Sequence, residues 1–238
     1  MIDEPIRKTD ELVKFINNQL DIVISLSTCA SYLKECGFSW RRARRSLKHK
    51  RNQDAFDIAR KKIQEMEKES RIEVFYFDEA GFNLTPSVPY MWQKKGEREQ
   101  LPSSSSLNLT TLGFMSKQEF YPFTLEGAAT SDVVIECFNE FIKMKKSKQV
   151  VVILDNASTH RSNAFDDMIE QWAEAGLEIY FIPPYSPELN LIERLWKEIK
   201  YNWLPLKSYM NKQTLREELE KVLLKISNRE LAIKWCAP

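Results

Sequence analysis

The sequence predicts an α/β fold, a mixed sheet with helices packed on it, preceded by a small all-α segment. Three observations carry this. The first 70 or so residues have apolar positions at helical spacing. Between residues 71 and 126 the runs are instead β-branched and aromatic, bounded by turn residues. From residue 131 onward, helical patterns alternate with short apolar runs, which is the order of strands joined by helices. A length of 238 residues accommodates one medium domain and one small one.

Composition narrows the class. The chain is 43% hydrophobic and 29% charged, so it can bury a core and is not a disordered polymer. Net charge is +1, from 35 basic and 34 acidic residues, so only the distribution of charge can point to a partner. No apolar run approaches bilayer length, and the opening "MIDEPIRKTDELVKF" is too charged for a signal peptide. A soluble, cytoplasmic protein without a membrane partner is expected. Cys29, Cys36, Cys137 and Cys236 form no CxxC pair and only two histidines accompany them, which argues against structural zinc and for reduced, mostly buried thiols.

The elements follow in order. "DELVKFINNQLDI" has apolar residues at 12, 13, 16 and 20, a helix. Ser27 or Thr28 is expected to cap a second, short helix, with Gly37 in the turn after it. A further helix is expected from Ser39, carrying Arg41, Arg42, Arg44, Arg45 and Lys48, with Trp40 packing the small domain. "NQDAFDIARKKIQEMEKES" reads as a polar, exposed helix leading into the next domain. "RIEVFYFDEAGF" reads as a strand that ends in a turn at Asp78, and "PYMWQKKG", "LNLTTLGFMS" and "QEFYPFTLEG" as further strands. A helix begins at Ser131. "QVVVIL" has the unbroken apolar character of a strand buried on both faces. "RSNAFDDMIEQWAEAG" is a helix stopped by Gly176, "LEIYFIP" a strand, and "SPELNLIERLWKEIKYNW" a long helix. In the last, Ser186 is the expected cap and Pro187 the first helical residue. "KQTLREELEKVLLKI" is a final amphipathic helix.

In open α/β sheets, ligands gather at the carboxyl ends of strands. Asp78 follows "VFYF", Asp155 follows "VVVIL", and Glu193 lies in the helix after the third strand. Bare carboxylates at one edge repel, and one would hold a proton. Magnesium or manganese relieves that conflict, since both take oxygen ligands, and a pair of such ions suits cleavage of a phosphodiester. Any one of these acids alone would read as a turn residue or a solvated helix acid; the conjunction favours a site. Glu79 rivals Asp78, and periodicity does not choose between neighbours.

Three blocks, "YFDEAGF", "ILDNASTH" and "PPYSPELNLIERLWKEIK", resemble the catalytic blocks of the DDE transposases, in particular the mariner-like superfamily of insertion sequences. The resemblance spans about residues 70–205, and its spacings agree: 76 residues lie between Asp78 and Asp155, and 37 between Asp155 and Glu193. It implies a ribonuclease H-like fold and a metal-binding catalytic triad of Asp78, Asp155 and Glu193 holding two Mg²⁺ or Mn²⁺ ions. It also implies DNA strand cleavage followed by strand transfer. Double-stranded DNA at the element's terminal repeats, a TA target, a homodimer on DNA and nucleoid association in a prokaryote are expectations of the same origin. His160 matches the histidine of "DNxxxH" and would touch a substrate phosphate, orient a carboxylate or pack against Asn156. Asn156 and Asn190 are candidates to support the ligands from behind, and Tyr185 reads equally as structural.

The stretch "SWRRARRSLKHKR" holds seven basic residues and no acid. Beside a nuclease-like domain it reads as the recognition part of a helix-turn-helix, with Arg41, Arg42, Arg44, Arg45 and Lys48 on DNA. The expected organisation is a helix-turn-helix segment over residues 1–69 and a catalytic domain over 70–238. Relatives carry two helix-turn-helix units, so this frame is expected to begin inside the second. A metal-dependent insertion-sequence transposase is the leading reading. A catalytically silent copy that binds element ends and represses transposition is the alternative, and a nuclease for RNA–DNA hybrids a third.

Overall fold

The computed structural model describes residues 8–40, 47–90, 92, 94–95, 100–102, 109–145 and 149–231. The chain divides into two compact units, residues 1–46 and 47–238.

The first unit holds two described helices, α1 (Thr9–Leu20) and α2 (Leu26–Glu35). The cap of α2 is Ser25, whose side chain accepts from Thr28 N, rather than Ser27 or Thr28. Those two instead bond the Ser25 hydroxyl with their own, so the cluster of hydroxyls hides which one caps. Gly37 has φ +82°, the left-handed geometry expected after a helix. Trp40 does not pack this unit: its ring is 81% exposed. Arg41, Arg42, Arg44 and Arg45, and the helix expected on them, lie outside the described residues, as does Cys236. Of the other cysteines Cys29 and Cys137 are buried and Cys36 is exposed.

The second unit is built on five strands in the order β3-β2-β1-β4-β5. These are β1 (Ile72–Phe82), β2 (Leu109–Met115), β3 (Phe120–Glu126), β4 (Gln149–Leu154) and β5 (Leu177–Phe181). β1 pairs antiparallel with β2, and β2 with β3, while β4 runs parallel to both β1 and β5. Alternation along β1 sorts its side chains onto two cores. Phe75 and Phe77 join α4 (Ser131–Met144) and α5 (Asn163–Glu174) on one face. There Phe114 stacks on Phe141 at 4.0 Å and Phe138 on Trp172 at 4.8 Å. Tyr76, Ala80 and Phe82 join α6 (Ile192–Glu198) and α7 (Lys212–Ser227) on the other. Ala59 and Ile63 of α3 (Gln53–Met66) are buried in that second core, so α3 is not the wholly exposed helix its polar composition suggests. Two apolar side chains one turn apart sufficed to dock it.

Three further expectations are corrected. β1 does not end in a turn at Asp78. It runs on to Phe82 because β2 keeps pairing with it, Asp78 opposite Gly113, after its parallel partner β4 has stopped at Tyr76↔Ile153. The described part of "PYMWQKKG" contains no strand, and the run's proline sits where a ladder donor would be needed. The long helix from Ser186 is three pieces: a 3₁₀ turn at Pro187–Leu189, α6, and a π-helical turn at Ile199–Trp203. Ser186 caps nothing; its hydroxyl donates to Pro184 O. Extended backbone at Asn190 breaks the run and lets its side chain bond elsewhere.

No helix among the described residues is long and apolar enough to cross a membrane.

Candidate active site

The parallel register places the first two acids. Tyr76 pairs with Ile153, and two residues further along each chain stand Asp78 and Asp155. Two is the side-chain period of a strand, so both acids continue the face that Tyr76 and Ile153 turn toward α6. Glu193 enters from that helix, in its first turn rather than deep within a longer one.

Two contacts set α6 against the sheet. Asn190 Nδ2 donates to Phe77 O at 2.8 Å, taking the carbonyl just before Asp78, and Glu193 N donates to Asn190 O at 3.2 Å. Gly113, opposite Asp78, allows close approach: a Cβ there would stand 3.0 Å from the Trp196 ring, 3.1 Å from Ile192 Cδ1 and 2.8 Å from Phe120. Both Ile192 and Trp196 belong to α6.

The charges of Glu193 and Asp155 bear on Asp78, and that of Asp155 on Glu193. Burial, then the charges of Glu193, Glu79 and Asp155, push the Asp78 carboxyl up to about 8. Burial and Asp155 also raise Glu193, against the pull of Lys200. Asp155 moves the other way, held low chiefly by its hydrogen bond to His160, with help from Ala157 N. Lys200 was not singled out by sequence. Burial lowers its pKa, opposed by the charges of Asp78 and Glu193, which places an ammonium near both acids. The signal was its position seven residues, two helical turns, past Glu193.

His160 is fully buried. Its Nδ1 lies 3.0 Å from Asp155 Oδ1, and its Nε2 lies 3.1 Å from both oxygens of Glu79. Each nitrogen faces a carboxylate oxygen, an arrangement that suits a ring donating on both sides. Burial lowers its pKa, but the bonds to Asp155 and Glu79 prevail and hold it up to about 9. His160 thus hydrogen-bonds the carboxylates of both Asp155 and Glu79. Asn156 instead donates to Ile182 O at 2.6 Å and ties the end of β4 to the end of β5. Asp78 and Glu79 are thereby separated: one faces α6, the other His160.

A cleft of about 410 Å³ opens beside these groups, lined by Asp155, Asn190, Glu193 and the turn from Pro183 to Tyr185. Tyr185 is half-exposed with φ +60°, a strained conformation for an aromatic residue. Lys48 forms an ion pair with Glu188, as does Arg51 at 3.4 Å, so the start of this unit is fastened to the 3₁₀ turn at the cleft.

Does this constellation suit a divalent cation? Among the described residues no three His, Cys, Asp or Glu side chains stand together as a group that could hold a metal ion. The donor chemistry nevertheless fits. All the donors are hard carboxylate oxygens, and the bonds from Ala157 N and His160 Nδ1 both fall on Asp155 Oδ1, leaving Oδ2 for another partner. Asn190 Oδ1, buried at the cleft with no hydrogen bond, is an acceptor suited to a water on such an ion.

The strand order and the acids at its edge define a ribonuclease H-like domain. Two solved structures are similar in fold. The mariner Mos1 paired-end complex with Mg has a TM-score of 0.57 at 15% identity, covering 94% of this chain and 73% of that one. A pre-cleavage Mos1 transpososome has a TM-score of 0.55 at 14% identity, covering 96% and 78%. The family model of the DDE superfamily endonucleases matches residues 73–216, and the chain belongs to that family. A winged helix-turn-helix model matches residues 7–63. An uncharacterized 39 kDa protein of insertion element IS630 from Shigella sonnei is 24% identical over 198 residues, covering 80% of this chain. The chain spans 56% of that relative's length.

Proposed function

We propose that this protein is an insertion-sequence transposase: a metal-dependent DDE endonuclease that cuts a DNA strand and joins the freed 3′-hydroxyl to a target. The observation that carries the proposal is the convergence of Asp78 and Asp155, just past the end of the β1–β4 ladder, with Glu193 of α6, near enough that the charges of Glu193 and Asp155 raise the Asp78 carboxyl. Family membership and the likeness in fold to Mos1 paired-end complexes, one with the left transposon end and one with Mg, support it.

Asp78, Asp155 and Glu193 would hold Mg²⁺ or Mn²⁺, as two ions. Divalent metal supplies Lewis-acid polarisation of the phosphodiester and of the attacking oxygen. The chain's own residues set the stage. Asp78, whose carboxyl burial and neighbouring charges raise, would give up its proton to hold a cation. His160 and Ala157 N stabilise the charged form of Asp155, which suits it to a ligand's role. Lys200 offsets the negative charge shared by Asp78 and Glu193. The rigid turn at Pro183 and Pro184 walls the cleft along which a strand would lie. Arg41, Arg42, Arg44, Arg45 and Lys48 would grip double-stranded DNA at the terminal repeats through its phosphates. Two copies would bridge two ends, and a TA dinucleotide would be the target.

The test is nicking and strand transfer of labelled element-end DNA with Mg²⁺ or Mn²⁺. Activity in the wild type that falls at least a thousandfold in Asp155→Asn, with DNA binding retained, is the expected outcome. Binding without cleavage by the unmutated chain would instead identify a repressor. Cleavage confined to RNA–DNA hybrids would identify a hybrid nuclease.

A further inference from the structure

Beneath the acids lies a second polar assembly that the proposed chemistry does not itself use. His160 sits on the aromatic face of the sheet, 5.5 Å from the Phe77 ring and 6.2 Å from that of Phe165. A fully buried imidazole among phenylalanines is costly unless each ring nitrogen finds a hydrogen-bond partner. It finds Glu79 on one side and Asp155 on the other, 3.1 and 3.0 Å away. Glu79 belongs to β1 and Asp155 to the end of β4, so the ring spans two strands just where their ladder has stopped. Thr159 Oγ1 adds a longer bond to Glu79, at 3.5 Å.

The contacts on Asp155 are one-sided. His160 Nδ1 and Ala157 N both bond Oδ1. Two donors on one oxygen restrain the carboxyl group and engage Oδ1 while making no claim on Oδ2. Resting on the reading of Asp155 as a metal ligand, we propose that Glu79 and His160 are positioning residues, a buried strut that aims Oδ2 of Asp155 at the metal from the opposite face of the sheet. Glu79 is thus no spare copy of Asp78. It is the anchor that keeps the imidazole from rotating away. Outer partners of this kind typically carry ten- to a hundredfold of metal affinity.

The experiment is direct Mn²⁺ binding to the full chain, followed by the electron paramagnetic resonance signal of free Mn²⁺, with folding checked by circular dichroism. In Glu79→Ala the dissociation constant should rise about 10- to 100-fold. In Glu79→Gln, whose carbonyl still accepts from Nε2, it should rise no more than about threefold, a rescue that simple loss of packing would not give. His160→Phe, which keeps an aromatic ring beside Phe77 and Phe165, should match Glu79→Ala and serves if the latter fails to fold. Unchanged Mn²⁺ affinity in a folded Glu79→Ala or His160→Phe protein overturns the strut. Equal losses in the Gln and Ala variants overturn it too. A wild-type chain that binds no Mn²⁺, or an Asp155→Asn chain that binds as well as wild type, overturns the metal reading itself and is recognisable as that separate failure.

Discussion

Asp78 is the residue on which burial and charge act together. Its carboxyl is raised to about 8 in the folded chain against 3.8 ordinarily. The folded state therefore holds a proton that the unfolded state releases, and stability falls as pH climbs from about 4 through 8. Asn at this position removes the ionisation while keeping the shape. In metal-free buffer Asp78→Asn should be more stable than wild type by on the order of 1–2 kcal/mol at pH 8, with the gap closing by pH 4. Urea unfolding at the two pH values reads this directly, and a gap independent of pH would contradict it. At this scale the sequence was half legible. Three acids after apolar runs stood out, but the partnership of His160 with Glu79, 81 positions away, is visible only once β1 and β4 lie side by side. Lys200 was hidden for the same reason, one basic residue among many until the fold sets it near two acids.

At the scale of the element, α6 is held by how closely it can approach. Gly113 leaves room for Ile192 and Trp196, and a methyl group there would crowd both. Gly113→Ala should destabilise the protein by about 1–3 kcal/mol through overpacking. It should also weaken Mn²⁺ binding, since the helix bearing Glu193 is the part that must yield. Loss of stability with metal affinity intact would show that Phe120 gives way instead. The buried strands were readable from their apolar runs, as were the ends of α5 and α7. Gly176 takes φ +89° after α5. Asn211 and Thr214 form a capping box that starts α7. The interruption at Asn190 was not readable. Nothing in "SPELNLIERLW" forbids a continuous helix; what breaks it is the tertiary bond from Asn190 to Phe77 O. Likewise Asp-Glu-Ala-Gly has the composition of a turn, and only pairing to β2 keeps it extended.

For the whole molecule, near-neutral net charge conceals an uneven distribution, with seven basic residues between positions 39 and 51. If these neutralise phosphates, affinity for duplex DNA falls steeply with salt. Replacing Arg41 and Arg44 by Gln should lower the slope of log affinity against log salt by about 2, roughly one per phosphate contact. Fluorescence anisotropy between about 50 and 200 mM salt measures it. An unchanged slope would move the DNA contacts elsewhere on the chain. The overall α/β order was legible because helical and strand periods differ so plainly. The docking of α3 was less so: it follows the basic stretch in sequence and looks polar, yet buries Ala59 and Ile63 in the core beneath β1.

The parallel seam between β1 and β4 runs only from Ile72↔Gln149 to Tyr76↔Ile153. Past it, the central strand continues like a plank beyond its joist, and a lone asparagine amide takes the place of the missing neighbour. The acidic groups overhang that unsupported end. Their spacing is accordingly governed by a few side-chain ties, and it can be retuned by exchanging one of those ties without disturbing the ladder that keeps the protein folded.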